Sequence, residues 1–175
     1  MTTPNQNLSD PEGLRRAKRP KSPLAGPYGH PFHPLLVTVP IGAWVAVLIF
    51  DIIAMVSDES EVFAEGAYWL ILIGIIGALA AALFGLMDLL TIPRGTKAFK
   101  TGITHMVLNL TVVALFVINF FVRMIQGYEE VTALELILTI IALVILGASG
   151  WLGGMLAYHY GVRVADEATQ AEGFR

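Results

Sequence analysis

Four long apolar stretches, separated by short polar segments, dominate the chain after residue 33. They cover approximately residues 34–56, 66–90, 101–124 and 132–160. Each is about 20 residues or longer, the length of an α-helix that crosses the hydrocarbon core of a bilayer. Helices of a soluble bundle carry charges along their outer faces, and these stretches carry almost none. The pattern therefore predicts an all-α fold, an integral membrane four-helix bundle.

Polar segments flank this predicted membrane domain, which we place at residues 34–161. Residues 1–33 are rich in proline and include a basic run between Arg15 and Lys21. Such a segment buries too little apolar surface to fold alone, so we predict a disordered tail. The basic run has no interleaved aromatic residues, which argues against a nucleic-acid partner and favours a topology signal or attraction to anionic lipid. Residues 162–175 are predicted to form a second polar tail.

The composition supports a membrane protein and limits its chemistry. The chain has 175 residues, of which 55% are hydrophobic and 14% charged, whereas soluble domains average about 25% charged residues. It has no cysteine, so a disulfide, a thiolate-held iron–sulfur cluster and a Cys zinc site are all excluded. The chain also lacks a phosphate-binding loop, a nucleophile elbow and a His-Glu-x-x-His motif. We therefore assign no catalytic residue.

Basic residues are distributed unevenly between the two ends of the predicted bundle. The N-terminal segment, residues 91–100 and the C-terminal segment carry ten of the eleven Lys and Arg residues, and the opposite end carries only Arg123. Cytoplasmic segments of membrane proteins carry an excess of Lys and Arg. We therefore predict a multi-pass protein in the lipid bilayer of the cell's inner membrane, with both the N- and the C-terminus in the cytoplasm.

Polar side chains recur near the predicted cytoplasmic ends of the spans. His33 precedes the first span, Asp88 lies near the end of the second, and His159 closes the fourth. His105 and Asn109 are four residues apart and share one face of the third span. With a rise of about 1.5 Å per residue, His30, the other three histidines and Asp88 lie within about 10 Å of the same interface. The sequence therefore predicts that His33, Asp88, His105, Asn109 and His159 form one polar cluster.

The cluster is typical of a buried cofactor site, because polar groups at this depth are costly unless paired. Imidazole ligates haem iron, zinc and copper, so His33, His105 and His159 are candidate ligands of haem b or of a metal. Asp88 and Asn109 are candidate supporting residues that orient an imidazole. Glycines in the second and fourth spans would leave room for a macrocycle. Such a site would imply electron transfer to a membrane redox partner.

Two other functions fit the same pattern. The cluster could satisfy itself inside a non-enzymatic packing or partner protein, alone or as a homo-oligomer, since glycine-rich faces often serve helix packing. A proton-coupled transporter of small solutes is less favoured, because four spans leave little room for a pathway unless the protein oligomerises. Asp51 and Asn119 are placed toward the opposite face, and we interpret Asp51 as a packing hydrogen bond rather than a proton carrier.

The first predicted span opens with a pattern that resembles a bacterial membrane family, the domain of unknown function 2231 family: His33-Pro34-Leu35-Leu36-Val37-x-x-Pro40, followed by Asp51. The resemblance continues through Gly85, Asp88, His105, Asn109 and the ending Gly153-Gly154-x-Leu156-x-Tyr158-His159-x-Gly161. It covers roughly residues 30–163 and implies a small protein with four spans. Some members are fused to Rieske-type domains, which implies electron transfer. Many members have a histidine where this chain has Thr38.

Overall fold

The computed structural model describes residues 11–127 and 129–174. The helices are α1 (Pro11–Lys18), α2 (Phe32–Leu36), α3 (Thr38–Val56), α4 (Ser60–Leu89), α5 (Lys97–Gln126), α6 (Ala133–Gly154) and α7 (Glu167–Ala171). A π-helical turn, Met155–His159, extends α6. Four helical stretches are long and apolar enough to cross a membrane: Phe32–Val56, Ser60–Leu89, Lys97–Gln126 and Ala133–His159. The all-α fold with four apolar spans is therefore confirmed.

Two helices begin earlier than the sequence predicted. α4 begins at Ser60 rather than near residue 66, and Glu61 lies in its first turn, where a carboxylate favours the helix dipole. α5 begins at Lys97 rather than near residue 101, because the Thr96 side chain accepts a hydrogen bond from Phe99 N–H and caps the helix. Both differences have the same cause. The charged residues that the sequence pattern indicated as loops form the first turns of these helices.

The first span is broken at Val37, between α2 and α3. Pro40 lies three residues later, has no N–H and would press its ring against the carbonyl of Leu36 in a continuous helix. The hydroxyl of Thr38 donates instead to the carbonyl of Leu35, 2.7 Å away. Val37 keeps right-handed helical backbone angles, and backbone bonds from Val37 N–H to the His33 carbonyl and from Ile41 N–H to the Val37 carbonyl cross the break, so α2 and α3 together form the first span.

The first span packs against the small residues of α4. Trp44 lies on Gly74, Val39 lies on Gly77, and His33 lies on Gly85; an added Cβ at either of the last two glycines would come within 2.9 Å of that side chain. Small residues allow this close approach between helices in a membrane. The glycine spacing of α4 therefore fixes where the first span, and with it His33, is placed.

The middle of the bundle is apolar. Trp44 of α3 stacks on Phe116 of α5 with ring centroids 4.3 Å apart, and the buried side chains around them come from all four spans. The outward faces carry large exposed apolar side chains, such as Val144 at 69% and Leu83 at 68% exposure. A bundle with an apolar exterior suits a hydrocarbon environment, where polar groups are confined to the interior and the ends.

The segments before α2 and after the π-helical turn contact each other at one end of the bundle. Arg163 N–H donates to the carbonyl of Ala17 in α1 (3.0 Å), and Asp166 N–H donates to the hydroxyl of Tyr28 (2.8 Å). Residues 11–31 belong to the segment that we predicted to be a disordered tail, and the C-terminal segment supplies hydrogen-bond partners that this segment lacks alone. Residues 1–10 of that prediction lie outside the described residues. We call this end the terminal face, and the end with residues 57–59 and 127–132 the loop face.

Candidate functional site

Two of the predicted ligands, His33 and His105, face each other near the terminal face. His33 is in the first turn of α2, and His105 is in the third turn of α5. Their ring centroids are 6.3 Å apart and the rings are nearly perpendicular, at 89°. Both residues are partly buried. The fold therefore brings together imidazoles that are 72 residues apart in sequence, and we call them the imidazole pair.

Backbone carbonyls fix the protonation of both rings. The Nδ1 atom of His33 lies 2.9 Å from the carbonyl oxygen of Ala81 on α4, and Nδ1 of His105 lies 2.8 Å from that of Ser149 on α6. A carbonyl oxygen can only accept, so Nδ1 carries the proton in each ring and donates. In the neutral rings, Nε2 is therefore the acceptor atom, and that of His105 accepts from Asn109 Nδ2 at 3.1 Å. Metal-ligating histidines likewise donate their other ring N–H to a carbonyl or carboxylate.

Each imidazole lies against a glycine of a neighbouring helix. A Cβ on Gly85 would come within 2.9 Å of the His33 ring, and a Cβ on Gly153 within 3.2 Å of the His105 ring. These distances leave no room for a larger residue without displacing the rings. The glycines of α4 and α6 that the sequence singled out therefore accommodate the imidazoles themselves.

Asn109 and Ser149 complete the surroundings of His105. Asn109 Nδ2 lies 3.1 Å from His105 Nε2 and 3.0 Å from the carbonyl of the same residue. The Ser149 hydroxyl lies 3.0 Å from His105 Nδ1 and donates to the carbonyl of His105 at 3.2 Å. Asn109 thus contacts the candidate ligand as predicted. Ser149 was not singled out from the sequence, although it is four residues before Gly153 and lies on the same helix face.

Asp88 and His159 do not join the imidazole pair. Asp88 is buried, and its Oδ1 lies 2.9 Å from Nε of Arg163, so its partner is a guanidinium rather than an imidazole. His159 is exposed and packs on Tyr160, with ring centroids 4.9 Å apart. It lines a separate cleft at the terminal face together with Lys18. The predicted cluster of five is therefore a group of three, with two members in other surroundings.

The imidazole pair offers few protein ligands. The described parts of the chain contain no group of three or more His, Cys, Asp or Glu residues placed to hold a metal ion. A zinc site needs at least three protein ligands in a tetrahedral arrangement. The geometry is therefore restricted to a centre that takes two nitrogen donors from the protein, or to hydrogen bonding alone.

A second polar cluster, near the loop face, was only partly anticipated from the sequence. Arg123 Nη2 lies 2.8 Å from Oδ1 and 2.9 Å from Oδ2 of Asp51, and the side chains are 2% and 0% exposed. Arg123 Nε donates to Oδ1 of Asn119 at 3.0 Å. Thr139 lies 3.1 Å from the carboxylate of Asp51 and accepts from Asn119. We call these residues, with Glu135, the ion-pair network.

The ion-pair network joins three helices, α3, α5 and α6. Glu135 Oε2 accepts from the backbone N–H of Thr132 at 2.7 Å and completes a capping box at the start of α6. A buried charge in a membrane is tolerated when it is paired, and here Arg123 and Asp51 pair with each other, while Glu135 accepts only from the backbone N–H. Asp51 is therefore part of an ion pair, where the sequence predicted a packing hydrogen bond. The sequence feature that indicates this network is the spacing of four residues between Asn119 and Arg123, which puts both on one helix face.

The fold and the two polar clusters define a class: a helical membrane bundle with an imidazole pair near one end and a buried ion pair near the other. The chain belongs to a family described as predicted membrane protein (DUF2231), whose model matches residues 29–166. The match agrees with the resemblance noted in the first span and covers the four spans. Comparison with curated proteins and with solved structures finds no match.

Proposed function

We propose that the chain is a b-type haem protein of the inner membrane that transfers electrons, and that His33 and His105 would hold the haem iron. The observation that supports the proposal best is the imidazole pair itself, in which both Nδ1 atoms donate to carbonyls and both Nε2 atoms keep a lone pair. Carbonyl anchors of this kind orient ligating imidazoles and raise their basicity. His159 and Asp88 are not part of the proposed site.

The number of protein donors favours haem over other metals. The centroids of the imidazole pair are 6.3 Å apart, so both rings could hold the same group. Haem supplies four nitrogen ligands of its own and takes its axial ligands from the protein. Two imidazoles therefore suffice for haem iron, whereas a tetrahedral metal would need more donors.

The residues around the pair would hold the group and protect it. Gly85 and Gly153 give the rings space against α4 and α6. Asn109 Nδ2, which lies 3.1 Å from His105 Nε2, would turn away when that nitrogen ligates, and it can keep its second hydrogen bond to the carbonyl of His105. When bound, haem would supply one-electron chemistry. The chain would orient the two imidazoles and keep water from the ligating nitrogens.

An absorption spectrum of the purified protein tests this proposal. The protein is produced in haem-replete cells, purified in detergent, and recorded oxidised and dithionite-reduced. We expect a Soret band that shifts on reduction, that is lost in His33→Ala and in His105→Ala, and that persists in His159→Ala. The last variant is the matched control, because it removes an exposed imidazole from the same end of the bundle. A colourless wild-type protein, or equal loss in all three variants, contradicts the proposal.

A structural role is the second candidate, and one observation favours it: Asn109 lies at hydrogen-bonding distance from the nitrogen that would ligate. In this case the His33–Ala81 bond holds α2 on α4, and the His105–Ser149 bond holds α5 on α6. Neutral side-chain hydrogen bonds between membrane helices contribute about 0.6 kcal/mol each. A colourless protein whose thermal stability falls in both His33→Ala and His105→Ala, but not in His159→Ala, supports this candidate.

The orientation in the membrane is part of the proposal. We place the terminal face, with α1 and both ends of the chain, on the cytoplasmic side, because it carries nearly all of the Lys and Arg residues. Reporter fusions at the C-terminus and at residues 57–59 test this placement. A cytoplasmic reporter active at the C-terminus and inactive in the 57–59 connection is the expected result, and the reverse pattern contradicts it.

A further inference from the structure

A cleft opens at the terminal face between α1, the end of α4 and the start of α5. Its volume is about 380 Å³. Its wall is mostly apolar and includes Leu86, Ile103 and Met106, while Arg16 and Arg94 line it from two separate segments. Arg16 is on α1 and Arg94 follows Pro93 in the connection to α5. The cleft therefore combines an apolar wall with two guanidinium groups.

The two arginines have no acidic partner within the described parts of the chain. The ion pairs there join Arg123 to Asp51 and Arg163 to Asp88, and Arg16 and Arg94 are both exposed. Guanidinium groups bind phosphate oxygens through paired N–H donors, which gives charge-assisted hydrogen bonds. Their lack of an internal carboxylate leaves both groups available to an external anion.

The position of the cleft favours an anion that is attached to an apolar chain. The cleft lies where two spans end, and its wall continues into side chains that face the hydrocarbon: Leu86 and Leu90 are 47% and 51% exposed on α4. A free anion would gain nothing from this apolar wall. An amphiphile would contact the arginines with its phosphate and the wall with its acyl chain. Basic pockets of this type at the ends of membrane helices bind anionic headgroups.

We propose that this cleft is a binding site for one anionic phospholipid of the surrounding leaflet. Its phosphodiester lies between Arg16 and Arg94, and the upper part of one acyl chain lies along Leu86, Ile103 and Met106. Arg16 belongs to the segment before the first span, and Arg94 to the connection between the second and third spans. The lipid therefore links α1 to the body of the bundle. This site is separate from the imidazole pair and does not depend on its function.

Thermal unfolding in detergent tests the site with defined probes. The full chain is titrated with short-chain phosphatidylglycerol, with phosphatidylcholine of the same chain length, and with inorganic phosphate. At ten times the dissociation constant, phosphatidylglycerol is expected to raise Tm by about 4 °C. Phosphatidylcholine is expected to raise it much less, and inorganic phosphate not at all. An equal shift with inorganic phosphate, or with phosphatidylcholine, overturns the proposal.

Paired substitutions locate the effect. In Arg16→Gln/Arg94→Gln the shift caused by phosphatidylglycerol is expected to disappear. The matched control is Arg15→Gln/Lys100→Gln, which removes the same charge from α1 and α5 outside the cleft and should keep the full shift. Leu86→Trp fills the wall while keeping both arginines, and it should also abolish the shift. A shift retained in Arg16→Gln/Arg94→Gln, or lost equally in the control, overturns the proposal.

Discussion

At the residue scale, the most consequential feature is the charged pair that the apolar spans bury. Arg123 contacts both carboxylate oxygens of Asp51 and one amide oxygen of Asn119. An isolated ion in this environment would be costly, whereas a paired and hydrogen-bonded one is tolerated. The pair therefore fixes the rotation of α5 against α3, since only one relative orientation brings the guanidinium to the carboxylate.

Removing one member of this pair is expected to destabilise the protein more than removing both. Arg123→Met leaves the Asp51 carboxylate buried and unpaired, and Asp51→Leu does the same to the guanidinium, so each should cost about 3–5 kcal/mol. The double variant removes both charges and should recover most of that loss. Unfolding by denaturant in mixed micelles measures the free energy of unfolding of the two single variants and of the double variant. A double variant as unstable as the sum of the single variants contradicts this reasoning.

The glycines beneath the imidazoles give a second prediction at this scale. Gly85→Ala places a methyl group 2.9 Å from the His33 ring, so the ring must move away from Ala81 and the protein should lose about 1–3 kcal/mol. Gly147→Ala is the control in α6, because nothing lies within 4 Å of its added methyl group. Thermal unfolding compares them. Equal stability of the two variants would show that His33 does not rest on Gly85.

At the element scale, sequence patterns predicted the helices better than the contacts between them. Runs of apolar residues identify spans, because length and hydropathy alone decide insertion. The ends were less certain: Ser60 and Lys97 begin helices inside segments whose charges indicated loops. The depth of a residue along a span follows from counting residues. Counting predicted that His33 and His105 lie near the same end of the bundle, and the structure has them there. The rotation of each helix, which decides what touches, does not follow from counting.

Asp88 and His159 were predicted to join the cluster, and each lies elsewhere for a physical reason. His159 closes a π-helical turn, Met155–His159, which widens the helix and rotates its last residues away from the α-helical register. Asp88 was placed at the right depth, but Arg163 competes for it from a segment read as a tail. Arg163 adopts a left-handed backbone conformation at φ 60°, which no sequence pattern here indicated. A local change of helix type decided the first outcome, and a contact between distant segments decided the second.

The start of α6 provides a prediction about a single element. Thr132 and Glu135 form a reciprocal capping box, with Thr132 N–H donating to Glu135 Oε2 at 2.7 Å. Thr132→Ala leaves the N–H of Glu135 without its side-chain acceptor and should cost about 1 kcal/mol. Thr132→Ser keeps the hydroxyl and should be close to wild type. Chemical denaturation separates the two, and equal losses in both variants would mean that the hydroxyl does not cap the helix.

At the scale of the whole molecule, Arg163 links the two terminal segments to the spans. Its Nε contacts Asp88 on α4 at 2.9 Å, its Nη2 donates to the carbonyls of Ala25 and Gly26 at 3.1 and 3.3 Å, and its N–H donates to Ala17. Three residues after Arg163, the Asp166 carboxylate accepts a hydrogen bond from the backbone N–H of Thr169, and this bond lowers the pKa of Asp166. Residues 11–31 therefore contact both the backbone and the side chain of a residue more than 130 positions away in sequence.

Replacing Arg163 should release the N-terminal segment without unfolding the spans. In Arg163→Gln the ion pair to Asp88 is lost and the bonds to Ala25 and Gly26 weaken, so residues 11–31 should exchange their amide hydrogens much faster. The apolar core around Trp44 and Phe116 makes no contact with Arg163 and should keep its protection. Hydrogen–deuterium exchange followed by mass spectrometry measures both regions at once. Arg15→Gln, on the exposed side of α1, is the control. Unchanged exchange of residues 11–31 in Arg163→Gln would mean that the backbone bond to Ala17 and the Asp166–Tyr28 bond hold this segment without the Arg163 side chain.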